Sequence, residues 1–332
     1  MVRKIFIFAL LIAMLAACAP ASTPAPEAEV TEAPATEAAA TEEPAATEEP
    51  ASTALTFTDG LGREVTLEGP AQRIVTLAPS LTELFFAVGA GGQVVGRDDF
   101  SDYPAEALDI TSIGSTYGPL NTEAILALEP DLVVAAGINT PEQVKALEDL
   151  GITVYYLNNA ATFEDLYDQV RWAGTITGHE EEANALAESL AARVEAVAEA
   201  VSTLEEKPTV FYEIDGTDTS KPWTTGPGTF MDTMITMAGG INIGGVLSEP
   251  YAQMSVEEIV LQDPDFIILG DTLFGVTIES IAERAGWADL TAVKENRIFA
   301  FDDNLASRPG PRLVDGLEEL LKILHPELVV TP

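Results

Sequence analysis

The fold of this chain is decided by the stretch Glu180 to Glu205, EEEANALAESLAARVEAVAEAVSTLE. Apolar residues recur in it at spacings of three and four, and neither Gly nor Pro interrupts it. Acidic residues stand at its start, where the helix dipole favours them, and Pro208 bounds its end. The pattern predicts one amphipathic helix of roughly 40 Å at 1.5 Å per residue. This segment alone is equally typical of a coiled-coil arm, so its neighbours must decide its role.

Residues 1–17 have the organisation of a secretory signal peptide. Arg3 and Lys4 precede an apolar run that is too short to span a membrane stably. Leu-Ala-Ala then leads directly to Cys18, the only cysteine of the chain, so an intramolecular disulfide is excluded. This arrangement resembles the lipobox of bacterial lipoproteins, which implies cleavage before Cys18 and acylation of that residue.

Residues 18–54 form a low-complexity segment of Ala, Pro, Thr, Glu and Ser without an aromatic residue after Cys18. Such a segment buries too little apolar surface to offset its ordering entropy, so we predict a disordered tether. The whole chain has 54 acidic and 16 basic residues and a formal net charge of −38. Nucleic acid and anionic lipid surfaces are therefore poor partners.

Short apolar strands alternate with helices on both sides of the long helix, which predicts two α/β lobes with mostly parallel sheets. We place the N-terminal lobe at residues 55–178, the linking helix at 179–207 and the C-terminal lobe at 208–332. The lobes share one sequence element, because residues 121–134 align without gaps with residues 255–268. Each copy has a helix cap, a glutamate (Glu123 or Glu257), Pro-Asp and a strand. Helix capping alone would also explain these glutamates.

At this point the sequence resembles the helix-linked class of ABC-transporter solute-binding lipoproteins that capture cobalamin, ferric siderophores and haem. The matching residues cover nearly all of residues 56–326 in the family's order. They include Asp59-Gly60, Gly62-Arg63, Arg73 to Glu83, Val95-Gly96, Ser101 to Pro104, Asn121 to Glu123, Pro130-Asp131, Trp223 to Gly226, Ala238 to Asn242 and Arg308 to Arg312.

The resemblance implies an α/β fold of two Rossmann-like lobes joined by a single long rigid helix, the class III periplasmic-binding-protein fold. It also implies a binding protein without enzyme activity, held outside the cytoplasm by its lipid anchor. Its partners would be an ABC permease with ATPase subunits, and Glu123 and Glu257 would dock onto arginines of the permease. We expect a monomer that requires no cofactor of its own.

Ligands of open α/β sheets bind beyond the carboxyl ends of the strands, and several loops expected there carry aromatic residues. Broad rings with a few polar groups suit a flat macrocycle. By resemblance to the cobalamin binders, which this sequence matches most closely, the ligand would be a corrinoid. The implied ligand-binding residues are Phe100, Tyr117, Trp223, Tyr251, Asp303 or Asn304, and Arg308.

The sequence also allows two other ligands, haem and a ferric siderophore. Haem is favoured by Tyr117, which precedes Leu120-Asn-Thr-Glu123 near the position of a ligating tyrosine in haem-binding relatives. Arg308 and Arg312 would suit the acidic groups of a ferric siderophore or of haem. The loop Gly137 to Thr140 lacks an aromatic residue found in the cobalamin branch. We expect no metal site of the protein itself, because imidazoles and thiolates are scarce.

Enzyme motifs do not account for the chain. Neither a G-x-S-x-G elbow nor a Walker loop is present, and Gly89-Ala-Gly-Gly lacks the third glycine of a dinucleotide fingerprint. A tethered surface sensor or adhesin without transport is the remaining alternative.

Overall fold

The computed structural model describes residues 54–328, which contain two open β-sheets with helices on both faces. The predicted signal peptide, Cys18 and nearly all of the predicted tether lie outside these residues. None of the helices within 54–328 combines the length and apolarity needed to cross a bilayer.

The N-terminal lobe opens with an antiparallel hairpin and continues as a parallel sheet of four strands in the order β4-β3-β5-β6. Its elements are β1 (Leu55–Thr58), β2 (Glu64–Leu67), β3 (Ile74–Thr76), α1 (Pro79–Ala87), β4 (Val94–Gly96), α2 (Thr122–Ala127), β5 (Leu132–Ala136), α3 (Pro141–Glu148), β6 (Val154–Leu157) and α4 (Phe163–Thr177).

The long helix α5 (Glu180–Val201) leads into a second sheet of six strands. The elements after α5 are β7 (Thr209–Asp215), β8 (Trp223–Thr225), α6 (Phe230–Met237), β9 (Ile241–Asn242), β10 (Tyr251–Gln253), α7 (Val256–Gln262), β11 (Phe266–Leu269), α8 (Ile278–Ala282), α9 (Thr291–Lys294), β12 (Ile298–Ala300), α10 (Asn304–Ser307) and α11 (Leu313–Leu324). Strands β7, β9, β11 and β12 pair in parallel, whereas β8 and β10 add an antiparallel edge beside β7.

The predicted class, two α/β lobes joined by one long helix, is confirmed. The antiparallel edge was not predicted, because β8 and β10 are three residues long and show no alternating pattern that distinguishes a strand from a loop. Only the hydrogen bonds of β8 to β7 and of β10 to β8 make them part of the sheet.

Each sheet separates two apolar layers, and one of these layers is common to both lobes. Along β3 and β7, Ile74 and Tyr212 point into the common layer, whereas Val75 and Phe211 point into layers private to their own lobes. This explains why the strands are nearly continuous apolar runs, as expected for strands buried on both faces. The hydrophobic core therefore continues from one lobe into the other.

Helix α5 contributes the central stripe of this common core. Ala183, Ala187, Leu190, Val194 and Val197 are buried along it. The helix packs against α4 of the N-terminal lobe and against α6 and α11 of the C-terminal lobe.

The exposed side of α5 is also tied to the C-terminal lobe. Arg193 donates hydrogen bonds to Glu318 at 2.8 and 2.7 Å and to Asp315 at 2.6 Å. The helix ends at Val201, before the end of the stretch predicted from the sequence. There the Ser202 hydroxyl donates to the Glu199 carbonyl at 2.6 Å, a local bond that competes with helix continuation.

A second apolar contact joins the lobes directly. Phe163, the first residue of α4, meets Phe230, the first residue of α6, with ring centroids 5.1 Å apart and planes at 72°. Such edge-to-face pairs add stability beyond the area that they bury. The two lobes are thus packed together and not merely connected by a chain segment.

We predict that Leu190→Ala lowers the free energy of unfolding by about 2 to 5 kcal/mol, because it opens a cavity in the common core. Leu261, which is exposed on α7, gives the matched control, and Leu261→Ala should change stability by at most about 0.5 kcal/mol. Denaturant titrations followed by circular dichroism measure both values. Equal losses for the two variants would contradict a structural role for the α5 stripe.

Candidate functional site

Two of the predicted aromatic residues meet on the N-terminal lobe. Phe100 lies in the loop that follows β4, and Tyr117 lies in the segment before α2. Their ring centroids are 5.3 Å apart with the planes at 82°, yet 48% of Phe100 and 69% of Tyr117 stay exposed. Exposed rings that meet edge to face form a preorganised apolar surface.

The other two aromatic residues lie on the antiparallel edge of the second sheet. Trp223 begins β8 opposite Asp215, the last residue of β7, so it stands at the carboxyl end of that strand. Tyr251 on β10 is paired with Thr225, and therefore projects from the same face of the sheet as Trp223. These rings are 42% and 59% exposed. They form a second aromatic surface on the C-terminal lobe.

The polar candidate Asp303 is held in place from within the lobe. The hydroxyl of the buried Tyr212 donates to Asp303 Oδ1 at 2.5 Å. Burial and the negative charge of Asp303 raise the pKa of Tyr212 well above its ordinary value. The same two causes raise the pKa of Tyr251, which stays a neutral phenol at neutral pH. Asn304 turns towards Asp302, donating from Nδ2 to Oδ1 at 2.9 Å.

Arg308 reaches from the C-terminal lobe to the N-terminal lobe. Its Nη1 donates to Glu83 Oε1 at 2.9 Å and to Asp102 Oδ1 at 2.6 Å, and its Nη2 donates to the Phe100 carbonyl at 3.3 Å. The guanidinium of Arg308 is thus committed to contacts with the N-terminal lobe.

Reasoning from the sequence did not assign Glu83 and Asp102 to this region. Glu83 lies on α1 with its side chain only 2% exposed, and it also accepts two hydrogen bonds from Arg312 at 2.9 and 2.8 Å. A signal was available, since Glu83 interrupts the apolar run Leu81-Thr-Glu-Leu-Phe-Phe86. A charge buried in such a run requires a cationic partner.

The segment that carries Tyr117 is fixed to α3 and borders a cavity. Gln143 Nε2 donates to the carbonyls of Thr116 and Gly118 at 2.9 and 2.5 Å. A cavity of about 490 Å³ lies beside Tyr117 and is lined in part by Ile138, which stands in the loop that lacks an aromatic residue. The wall at this position is therefore aliphatic.

The two glutamates of the repeated element occupy equivalent places. Glu123 and Glu257 lie in the first turns of α2 and α7, whose caps are the side chains of Asn121 and Ser255. Both glutamates are exposed, and neither forms an ion pair with another described residue. One turn later, Leu126 and Val260 are also exposed. Each lobe thus presents an unpaired carboxylate beside an apolar side chain.

Comparisons with known proteins agree with this architecture. A family model described as periplasmic binding protein matches residues 74–305. An ABC transporter substrate-binding lipoprotein of Bacillus subtilis is 32% identical over 82% of this chain and 86% of its own length. A cobalamin-binding protein of Halobacterium salinarum is 31% identical, with 82% and 75% covered.

Solved structures give the same result. The vitamin B12 binding protein of Vibrio cholerae superimposes with a TM-score of 0.65 at 26% identity, covering 77% of this chain and 97% of that one. A haem-binding protein of Roseiflexus superimposes with a TM-score of 0.69 at 27% identity, covering 77% and 98%.

We predict that Asp303→Asn lowers the pKa of Tyr251 relative to the unsubstituted protein, because it removes a negative charge that opposes ionisation of the phenol. Ultraviolet titration of the variant, with and without Tyr251→Phe, isolates the ionisation of this tyrosine. Asp302→Asn is the matched control and should leave Tyr251 unchanged. An unchanged Tyr251 titration in Asp303→Asn would contradict the described proximity.

Proposed function

The chain belongs to the periplasmic binding protein family, and from this premise we propose that it is the substrate-binding component of an ABC importer. It takes a corrinoid or an iron chelate between its two lobes and delivers it to a membrane permease driven by ATPase subunits. The observation that carries the proposal is the pair of exposed aromatic surfaces, Phe100 with Tyr117 and Trp223 with Tyr251, one on each lobe.

Exposed rings in this arrangement favour a broad, partly apolar ligand. Each ring offers a large contact area and loses little conformational entropy on binding. The polar residues that we propose for ligand contact are Asp303, Asn304 and Arg308. Such a combination suits a macrocycle whose faces are apolar and whose rim carries amides or acids.

A corrinoid is the ligand that we favour, and haem or a ferric siderophore is the alternative. Haem iron would need a protein ligand. His179 caps the start of α5 and His325 ends α11 in a buried contact with Gly239, so neither histidine of the chain belongs to the aromatic surfaces. The exposed phenol of Tyr117 is the residue that would serve haem.

Docking to the permease is assigned to Glu123 and Glu257. Their equivalent positions on the two lobes match a partner made of two similar halves, and their unpaired carboxylates suit basic residues on it. Leu126 and Val260 supply an apolar spot beside each carboxylate. Cys18 would hold the chain at the outer side of the membrane through its acyl groups, with residues 19–54 as a tether.

We predict that the protein binds cyanocobalamin in isothermal titration calorimetry, and that Trp223→Ala weakens binding by about tenfold or more, as expected for a central aromatic contact. Haemin and a ferric catecholate are titrated in parallel to test the alternatives. Leu261→Ala is the control, because Leu261 is an exposed apolar residue on α7, the helix that leads into the amino end of β11. If none of the three compounds binds, the ligand assignment is wrong.

We also predict that Glu123→Arg and Glu257→Arg, singly and together, abolish ligand uptake by cells that depend on this protein while leaving ligand affinity unchanged. Repulsion from a basic permease surface is the reason. Glu195→Arg, an equal charge reversal on the exposed side of α5, should leave uptake intact. Normal uptake by the Glu123→Arg, Glu257→Arg double variant would refute the docking role.

A further inference from the structure

Four charged residues of both lobes form one cluster beside the aromatic surface of the N-terminal lobe. Glu83 and Asp102 belong to the N-terminal lobe, and Arg308 and Arg312 belong to the C-terminal lobe. We call these four residues the clasp. Its formal charges cancel, and all its members except Asp102 are largely buried.

The centre of the clasp is the carboxylate of Glu83. Oε1 accepts from Arg308 Nη1 at 2.9 Å and from Arg312 Nη2 at 2.8 Å, and Oε2 accepts from Arg312 Nε at 2.9 Å. A buried carboxylate is stable only while its cationic partners stay in place. Moving the lobes apart would take both arginines away from it. The clasp therefore opposes opening of the lobes at this edge.

The clasp also holds the loop that carries Phe100. Arg308 bonds to the Phe100 carbonyl and to Asp102, and the guanidinium of Arg312 lies 3.9 Å from the ring centroid of Tyr103. Burial opposes ionisation of Asp102, but the hydrogen bond and charge of Arg308 outweigh it and lower the pKa of Asp102. Three residues of one loop, Phe100, Asp102 and Tyr103, are thus contacted by the opposite lobe.

The inner side of the same loop is anchored to its own lobe. The buried Asp98 accepts from the Phe100 amide at 3.2 Å and from the Ser101 hydroxyl, and Thr82 Oγ1 on α1 donates to Ser101 Oγ at 2.8 Å. These bonds tie the loop to the helix that presents Glu83. Without the two arginines, the loop would keep its bonds to Asp98 and Thr82 but lose its contacts with the C-terminal lobe.

We infer that Arg308 and Arg312 are positioning residues, which fix the loop that carries Phe100 from the opposite lobe and set the separation of the lobes before any ligand arrives. A Cβ on Gly310, between the two arginines, would lie 3.4 Å from the Ser80 carbonyl oxygen, so the lobes already approach closely at this point. That this loop serves a ligand rests on the proposed function. That the arginines hold the loop and the lobes rests on the clasp geometry alone. A site organised in advance spends less of its binding free energy on ordering.

The test uses the full chain purified in detergent and measures amide hydrogen exchange by mass spectrometry. Arg308→Met and Arg312→Met should each speed exchange of residues 98–104 by about tenfold or more, because local opening becomes easier. Arg193→Met is the matched control. It removes an arginine that also bonds two carboxylates, but one that joins α5 to α11, and it should leave residues 98–104 unchanged.

Asp102→Asn provides a milder variant in case an arginine variant fails to fold. It removes only the negative charge of Asp102, the exposed partner of Arg308. It should speed exchange in the same loop by a smaller factor. Unchanged exchange in Asp102→Asn and in both arginine variants would overturn the inference, and so would an equal change in Arg193→Met.

Ligand titrations of the same variants separate positioning from direct contact. Positioning predicts that Arg308→Met and Arg312→Met weaken binding together with faster loop exchange. Weaker binding with unchanged loop exchange in both variants would mean that the arginines act only by contact with the ligand, which would overturn the inference. If the unsubstituted protein binds none of the three test compounds, the ligand assignment fails, whereas the exchange data still decide whether the clasp exists.

Discussion

The structure depends on one apolar layer that continues from the first sheet, along α5, to the second sheet. The stripe of α5 is made of small and branched residues such as Ala183, Ala187 and Leu190, so the helix lies close to both lobes. Rotating one lobe against the other would expose part of this layer to water, at about 25 cal/mol for each Å² of apolar area. The linking helix is therefore a packed strut, which favours small movements over a wide hinge swing.

The clasp forms a second connection between the lobes, beside the proposed ligand site. Apolar burial holds the lobes together along α5, whereas Glu83 and its arginines hold them at the edge near Phe100. The two interactions differ in character. The apolar layer tolerates small adjustments, whereas hydrogen bonds between a carboxylate and guanidinium groups demand fixed distances and directions. Lobes that are held together in both ways keep the two aromatic surfaces at a defined spacing.

The two faces of each sheet have different neighbours, and this separates the proposed ligand-binding surfaces from the proposed docking residues. The common core occupies one face of each sheet, and the helices of the other faces carry Glu123 and Glu257. Ile125 and Ile259 bury these helices in the private cores, which leaves the glutamates exposed at equivalent places. Because these helices are anchored to the rigid sheets, any shift of the lobes caused by a ligand would change the spacing of the two carboxylates.

The sequence by itself determined the alternation of strands and helices, the long helix and the repeated element, because these follow from periodic burial along the chain. It also placed Phe100 and Tyr117 in loops, whereas Trp223 and Tyr251, which were expected in loops, lie on strands β8 and β10. Only the tertiary structure decided which side chains meet: the antiparallel edge that brings Trp223 and Tyr251 to one face, the Tyr212 bond to Asp303, and the pairing of Glu83 with Arg308. These contacts join residues far apart in the chain, and local patterns carry no information about such distances.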